Sequence, residues 1–121
     1  MEKLFGLLVI FQIKHFLADY PLQTPYMLGK FKGGLEWIRP LALHSLVHAL
    51  FTLAILLAFA PSLWALAFLD FTVHFIQDRI KASPNLLGRF KPDNKFFWWA
   101  LGQDQMVHHL THYIIIWLII K

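Results

Sequence analysis

The sequence contains no cysteine. That excludes a disulfide framework and any thiolate-held cofactor, so a metal bound by this chain must be held by nitrogen and oxygen. Charge is scarce too: 15% of the 121 residues are Asp, Glu, Lys or Arg, against about a quarter in soluble domains. No serine or cysteine nucleophile motif is present. What is there is apolar, with 58% hydrophobic residues and a mean hydropathy of +0.54, the composition of a membrane protein. The net charge of +4 is no sign of nucleic-acid binding, because the basic residues fall mainly between the apolar runs, where they read as membrane topology.

A bilayer core about 30 Å thick needs roughly 20 mainly apolar residues to cross. Four segments come close, at about 4–20, 40–60, 62–82 and 102–120. Pro21 stops the first, and Pro40 suits the first turn of the second. Ser62 is placed to cap the third, and Pro84 lies beyond its end. Phe96-Phe97-Trp98-Trp99 belongs at the interface, either as a separate turn over 95–101, with Gly102 a candidate break, or as an extension of the fourth helix. The expected fold is one domain over 1–121: an all-α, integral membrane four-helix bundle.

Loop charges orient it. The connection 21–39 carries Lys30, Lys32 and Arg39 against Glu36. The connection 83–94, with its flanks, carries Arg79, Lys81, Arg89, Lys91 and Lys95 against Asp93, while Ala60-Pro61 is uncharged. The positive-inside rule then places the first and third connections in the cytoplasm and both termini on the outer side.

Every apolar segment is interrupted by polar residues at i, i+4 spacing: His15/Asp19, His44/His48, Asp70/His74/Asp78 and Asp104/His108/His112. That spacing stacks side chains on one helix face. With alternating helix directions, all ten groups fall in the cytoplasmic half, from the interface to about 18 Å deep. A charged side chain at mid-membrane costs about 2.5–3.5 kcal/mol, and four carboxylates repel one another besides. Two divalent ions would neutralise Asp19, Asp70, Asp78 and Asp104, as paired metals do in helical bundles. Imidazole and carboxylate without sulfur suit zinc, manganese or iron.

The expected ligands are therefore His15, Asp19, His44, His48, Asp70, His74, Asp78, Asp104, His108 and His112. Asp104 and Asp78 are also candidates for a general base. Gln23, Gln105, Arg79 and Lys81 are expected beside the ligands or on an anionic group. His109 lies one position off its stripe and is expected to be a neighbour. A metal-free salt-bridge network competes with this reading, pairing Asp78 with Lys81 or Arg79 and Asp19 with Lys14 or a loop lysine. A bis-histidine haem site from His48 and His112 would leave four carboxylates unexplained.

The segments HFLADYPLQ (His15–Gln23), HSLVH (His44–His48), HFIQDRIK (His74–Lys81) and DQMVH (Asp104–His108) resemble, in order and spacing, a bacterial family of small integral membrane proteins, domain of unknown function 3307. The resemblance implies a compact bundle in a bacterial inner membrane and supports His15, Asp19, Gln23, His44, His48, His74, Asp78, Lys81, Asp104, Gln105 and His108. Asp70 and His112 lie outside its pattern. It implies no activity.

The chemistry therefore carries the functional expectation: a membrane-embedded metal-dependent hydrolase acting on a lipid or amphiphilic ester or phosphate at the cytoplasmic leaflet. The competing expectations are a divalent-cation or proton transporter, since intramembrane Asp/His chains also mark ion pathways, and a metal-free structural or accessory membrane protein. The bilayer is the expected partner, nucleic acid is not, and a homo-oligomer is compatible with the sequence.

Overall fold

The computed structural model describes Met1–Lys121 and is all-α. Helix α1 spans Glu2–Asp19, α2 Ile38–Phe59, α3 Leu66–Ala82 and α4 Lys95–Ile120. Short 3₁₀ turns at Met27–Phe31, Pro61–Leu63 and Leu87–Arg89 lie in the connections. Each helix packs on the next, and α1 closes the ring against α4. The end of α1 meets the first half of α2 through Asp19 and His44, and the end of α3 meets the first half of α4 through Lys81 and Asp104. Neighbouring helices are thus antiparallel.

Three local expectations are changed or decided. Ser62 does not cap α3, because Pro61 starts a 3₁₀ turn and the helix begins only at Leu66. Of the two alternatives for 95–101 the helix extension holds, and α4 runs unbroken through Gly102. The cause lies just upstream: Asn94 is its N-cap, and the Asn94 Oδ1 accepts from the Phe96 amide at 2.9 Å. Helices α1 and α2 begin slightly earlier than expected, at Glu2 and Ile38.

The interior has two layers. At the end holding both chain termini, Leu7, Phe11, Ile55, Leu56, Ala67, Ile115, Ile116 and Ile119 form a sealed apolar cluster. Toward the other end the buried side chains are mainly polar. Large apolar side chains cover the outside instead, among them Phe5, Val9, Leu50, Phe68, Ile76, Ile114 and Trp117. One helix, Ile38–Phe59, is by itself long and apolar enough to cross a membrane, with a mean hydropathy of 2.1 over its best 18 residues.

Candidate metal centre

The i, i+4 stripes do what their spacing requires. On α3 the buried positions include Asp70, His74 and Asp78, and on α4 Asp104, His108 and His112. On α2 they include His44, His48 and Thr52, and on α1 Lys14, His15 and Ala18. All ten predicted ligands converge on one layer of the bundle. His44, His48, Asp70 and Asp104 are fully buried.

Asp19 is the centre of the outer part. Its Oδ1 lies 2.7 Å from His48 Nε2 and 3.3 Å from His44 Nε2, and its Oδ2 lies 3.0 Å from His15 Nε2. The same His44 Nε2 lies 3.3 Å from Asp78 Oδ2, yet it makes no hydrogen bond. A tetrahedral ion with bonds of 2.0–2.2 Å sets its ligands about 3.3–3.6 Å apart. His44 therefore stands at ligand spacing from two carboxylates, with a buried nitrogen that makes no well-aligned hydrogen bond. One ligand atom each from Asp19, His44 and His48 fits within 4.8 Å of the others, as do sets from His74, Asp78 and His108 and from Asp70, His74 and His112. His15 is a different case. Its Nε2 also faces Gln105 Oε1 at 2.8 Å, so the same imidazole nitrogen touches both Asp19 and Gln105.

His108 Nε2 sits 3.1 Å from both Asp78 Oδ1 and Asp104 Oδ1. His74 is stacked between His48 and His108, with ring centroids 3.8 and 3.9 Å away. His109 stays out of the cluster, half-buried, its Nδ1 accepting from Gln12 Nε2 at 3.4 Å.

Lysines supply much of the charge balance. Lys14 Nζ lies 2.8 Å from Asp70 Oδ2, Lys81 Nζ 2.9 Å from Asp104 Oδ2 and Lys30 Nζ 3.6 Å from Asp78 Oδ2. Asp19 alone among the four aspartates has imidazoles and no lysine. With neutral histidines, three lysines leave one excess negative charge, and it falls where three imidazoles gather. Lys14 was expected only in the competing salt-bridge network, on Asp19 rather than Asp70, and Lys30 was not singled out. Lys14 shares the buried face of Leu7, Phe11 and Ala18 at i+3 and i+4 spacing, and that spacing was the available signal. Lys30 comes from a 3₁₀ turn folded back over the bundle, where it donates to Gln23 Oε1 at 2.9 Å. Burial pushes its ammonium below the usual lysine range, while the Asp78 carboxylate pulls the other way.

Arg79, expected on an anion, lies elsewhere. Its Nη1 donates to the Lys30 and Lys32 carbonyls at 3.1 Å each, and its guanidinium stacks on Trp37 at 4.1 Å. It ties the Met27–Phe31 turn to α3. Gln23 and Lys81, by contrast, line a cavity of about 130 Å³ that opens onto Asp19, Asp78 and Asp104. It is the mouth of the polar layer.

Fold and site together define a four-helix protein with a buried histidine–aspartate–lysine layer at one end of the bundle. Residues 7–121 match the family described as Protein of unknown function (DUF3307), and the chain belongs to that family. No curated protein and no solved structure matches the chain.

Proposed function

We propose that this protein is a metal-dependent hydrolase embedded in a bilayer, acting on an amphiphilic ester or phosphate at the cytoplasmic leaflet. The observation that carries the proposal is the unbonded, buried His44 Nε2 held at 3.3 Å from both Asp19 and Asp78. A buried imidazole nitrogen without a hydrogen bond is unfavourable unless something else binds it. Zinc, manganese or iron suits this donor set.

A divalent ion there supplies polarisation of a substrate oxygen and of water. Asp19, His44 and His48 would hold it, with Asp78 beside them. Asp78 and Asp104 both line the mouth and face His108, but the lysine facing Asp78 stands farther off, at 3.6 Å against 2.9 Å, which makes Asp78 the better candidate for the base. Asp104 is already held by Lys81 and by Gln105 Nε2 at 3.0 Å. Lys30 and Lys81 bring positive charge to the mouth, where an anionic head would enter. Next to that mouth, sharing Lys81 and Leu101 with it, is a cleft of about 180 Å³ lined mainly by apolar side chains, including Phe31, Phe90 and Phe97. A polar mouth adjoining an apolar cleft suits an amphiphile, head in one and chain in the other.

The bilayer reading rests on the reversal of polarity, with apolar side chains outside on all four helices and polar ones within. The basic connections would then face the cytoplasm. A transporter would need polar groups through to the opposite end, which the apolar cluster of Leu7, Phe11, Ile115 and their neighbours fills.

The test is hydrolysis of long-chain p-nitrophenyl esters and phosphates in mixed micelles by zinc-, manganese- and iron-loaded protein. The expected result is turnover with one class that chelator abolishes and His44→Ala lowers at least about 100-fold. No turnover with either class, or full turnover in His44→Ala, would overturn the reading.

A further inference from the structure

One of the buried polar groups is a lysine. Lys14 is 2% exposed, and its ammonium donates to Asp70 Oδ2 at 2.8 Å and to His112 Nε2 at 3.0 Å. Thr52 Oγ1 donates to the same Asp70 oxygen. Because an ammonium has no acceptor, His112 must turn a lone pair toward it. That lone pair is what a metal would bind. On the other side, Asp70 Oδ1 and His74 Nε2 lie 3.3 Å apart, fully buried, and neither makes a hydrogen bond. Ligand atoms from Asp70, His74 and His112 fit within 4.8 Å of one another. The donors of a three-ligand metal site are thus assembled, with a cation from the chain itself lodged against two of them.

We propose that Asp70, His74 and His112 form a latent divalent-metal site that the Lys14 ammonium holds shut. The lysine supplies the positive charge the carboxylate requires. A divalent ion added beside it would face a like charge a few ångströms away in a medium that screens poorly. The third set, His74, Asp78 and His108, shares His74 with it and has Lys30 3.6 Å from Asp78, so the chain keeps one exchangeable metal position, around Asp19. This inference is independent of the hydrolase reading, since it concerns the difference that Lys14 makes and not what the outer position does.

The experiment is zinc per folded chain, by elemental analysis after zinc loading and gel filtration in detergent. Four proteins are compared: the natural sequence, Lys14→Met, Lys14→Met with Asp70→Asn, and His112→Gln. The expected result is one more zinc in Lys14→Met than in the natural protein, and return to the natural value when Asp70→Asn is added. His112→Gln keeps an acceptor for Lys14 and removes a ligand, so it should leave the natural value unchanged. No gain in folded Lys14→Met would overturn the proposal. Should Lys14→Met fail to fold, the His112→Gln result decides: loss of one zinc would overturn the proposal, and an unchanged value in zinc-binding protein would uphold it. Zero zinc in the natural protein with one in Lys14→Met would contradict the outer metal site and still support the lysine-closed one.

Discussion

At the residue scale the site divides by which partner each aspartate has. Asp70, Asp78 and Asp104 face Lys14, Lys30 and Lys81, and Asp19 faces His15, His44 and His48. The account predicts unequal effects from similar substitutions. His44→Ala should weaken metal binding by about 100-fold or more, beyond the 10–100-fold usual for residues beside the ligands, while His109→Ala should leave it within about twofold; competition with a chelating dye measures both. Equal effects would mean that the buried faces are misassigned. Lys81→Met should weaken binding of an anionic amphiphile such as dodecyl phosphate by about 10–100-fold, the loss of one charge-assisted hydrogen bond. It should leave binding of a neutral amphiphile of the same chain length unchanged, which titration calorimetry would show.

At the element scale, position depends on close packing of the short turns. Gly29 is buried in the Met27–Phe31 turn, and a Cβ there would come within 2.8 Å of Pro40 Cγ. Gly29→Ala should push the turn off α2, withdraw Lys30 from Asp78 and cost about 1–3 kcal/mol, read as a lower midpoint in thermal unfolding. An unchanged midpoint would show that the turn is looser than its packing. The helices themselves were legible in the sequence because i, i+4 stripes on four segments leave few ways to bury the polar groups. His44, His74 and His108 are buried where their spacing put them. Lys30 was not legible, because its place depends on how a 3₁₀ turn folds back, and periodicity says nothing about that. Arg79 looked like an anion ligand from its neighbours in sequence, yet a helix position next to Asp78 points about 100° away from it, here toward the loop carbonyls. The unbroken α4 was signalled by Asn94, an N-cap residue type just before the aromatic run.

At the scale of the whole molecule, one interior layer is polar while many large apolar side chains lie on the exterior. The sequence carried this in its composition. The charge balance was not legible there, because counting aspartates alone leaves out the three lysines that reach them. Membrane topology has a direct test that the absence of cysteine makes clean. Single cysteines at Gly33 and Ser62, in the first and second connections, should label with impermeant maleimide from opposite sides of inner-membrane vesicles, Gly33→Cys from the cytoplasmic side. Labelling of both from one side would contradict the bundle's placement across the bilayer.

The most direct test of the central claim is elemental analysis of detergent-purified protein, natural sequence against His44→Ala, before and after reloading with zinc, manganese or iron. The account predicts close to one equivalent per chain in the natural protein and its loss in His44→Ala. A folded natural protein that holds no metal even after reloading, or a His44→Ala variant that holds as much, would contradict it.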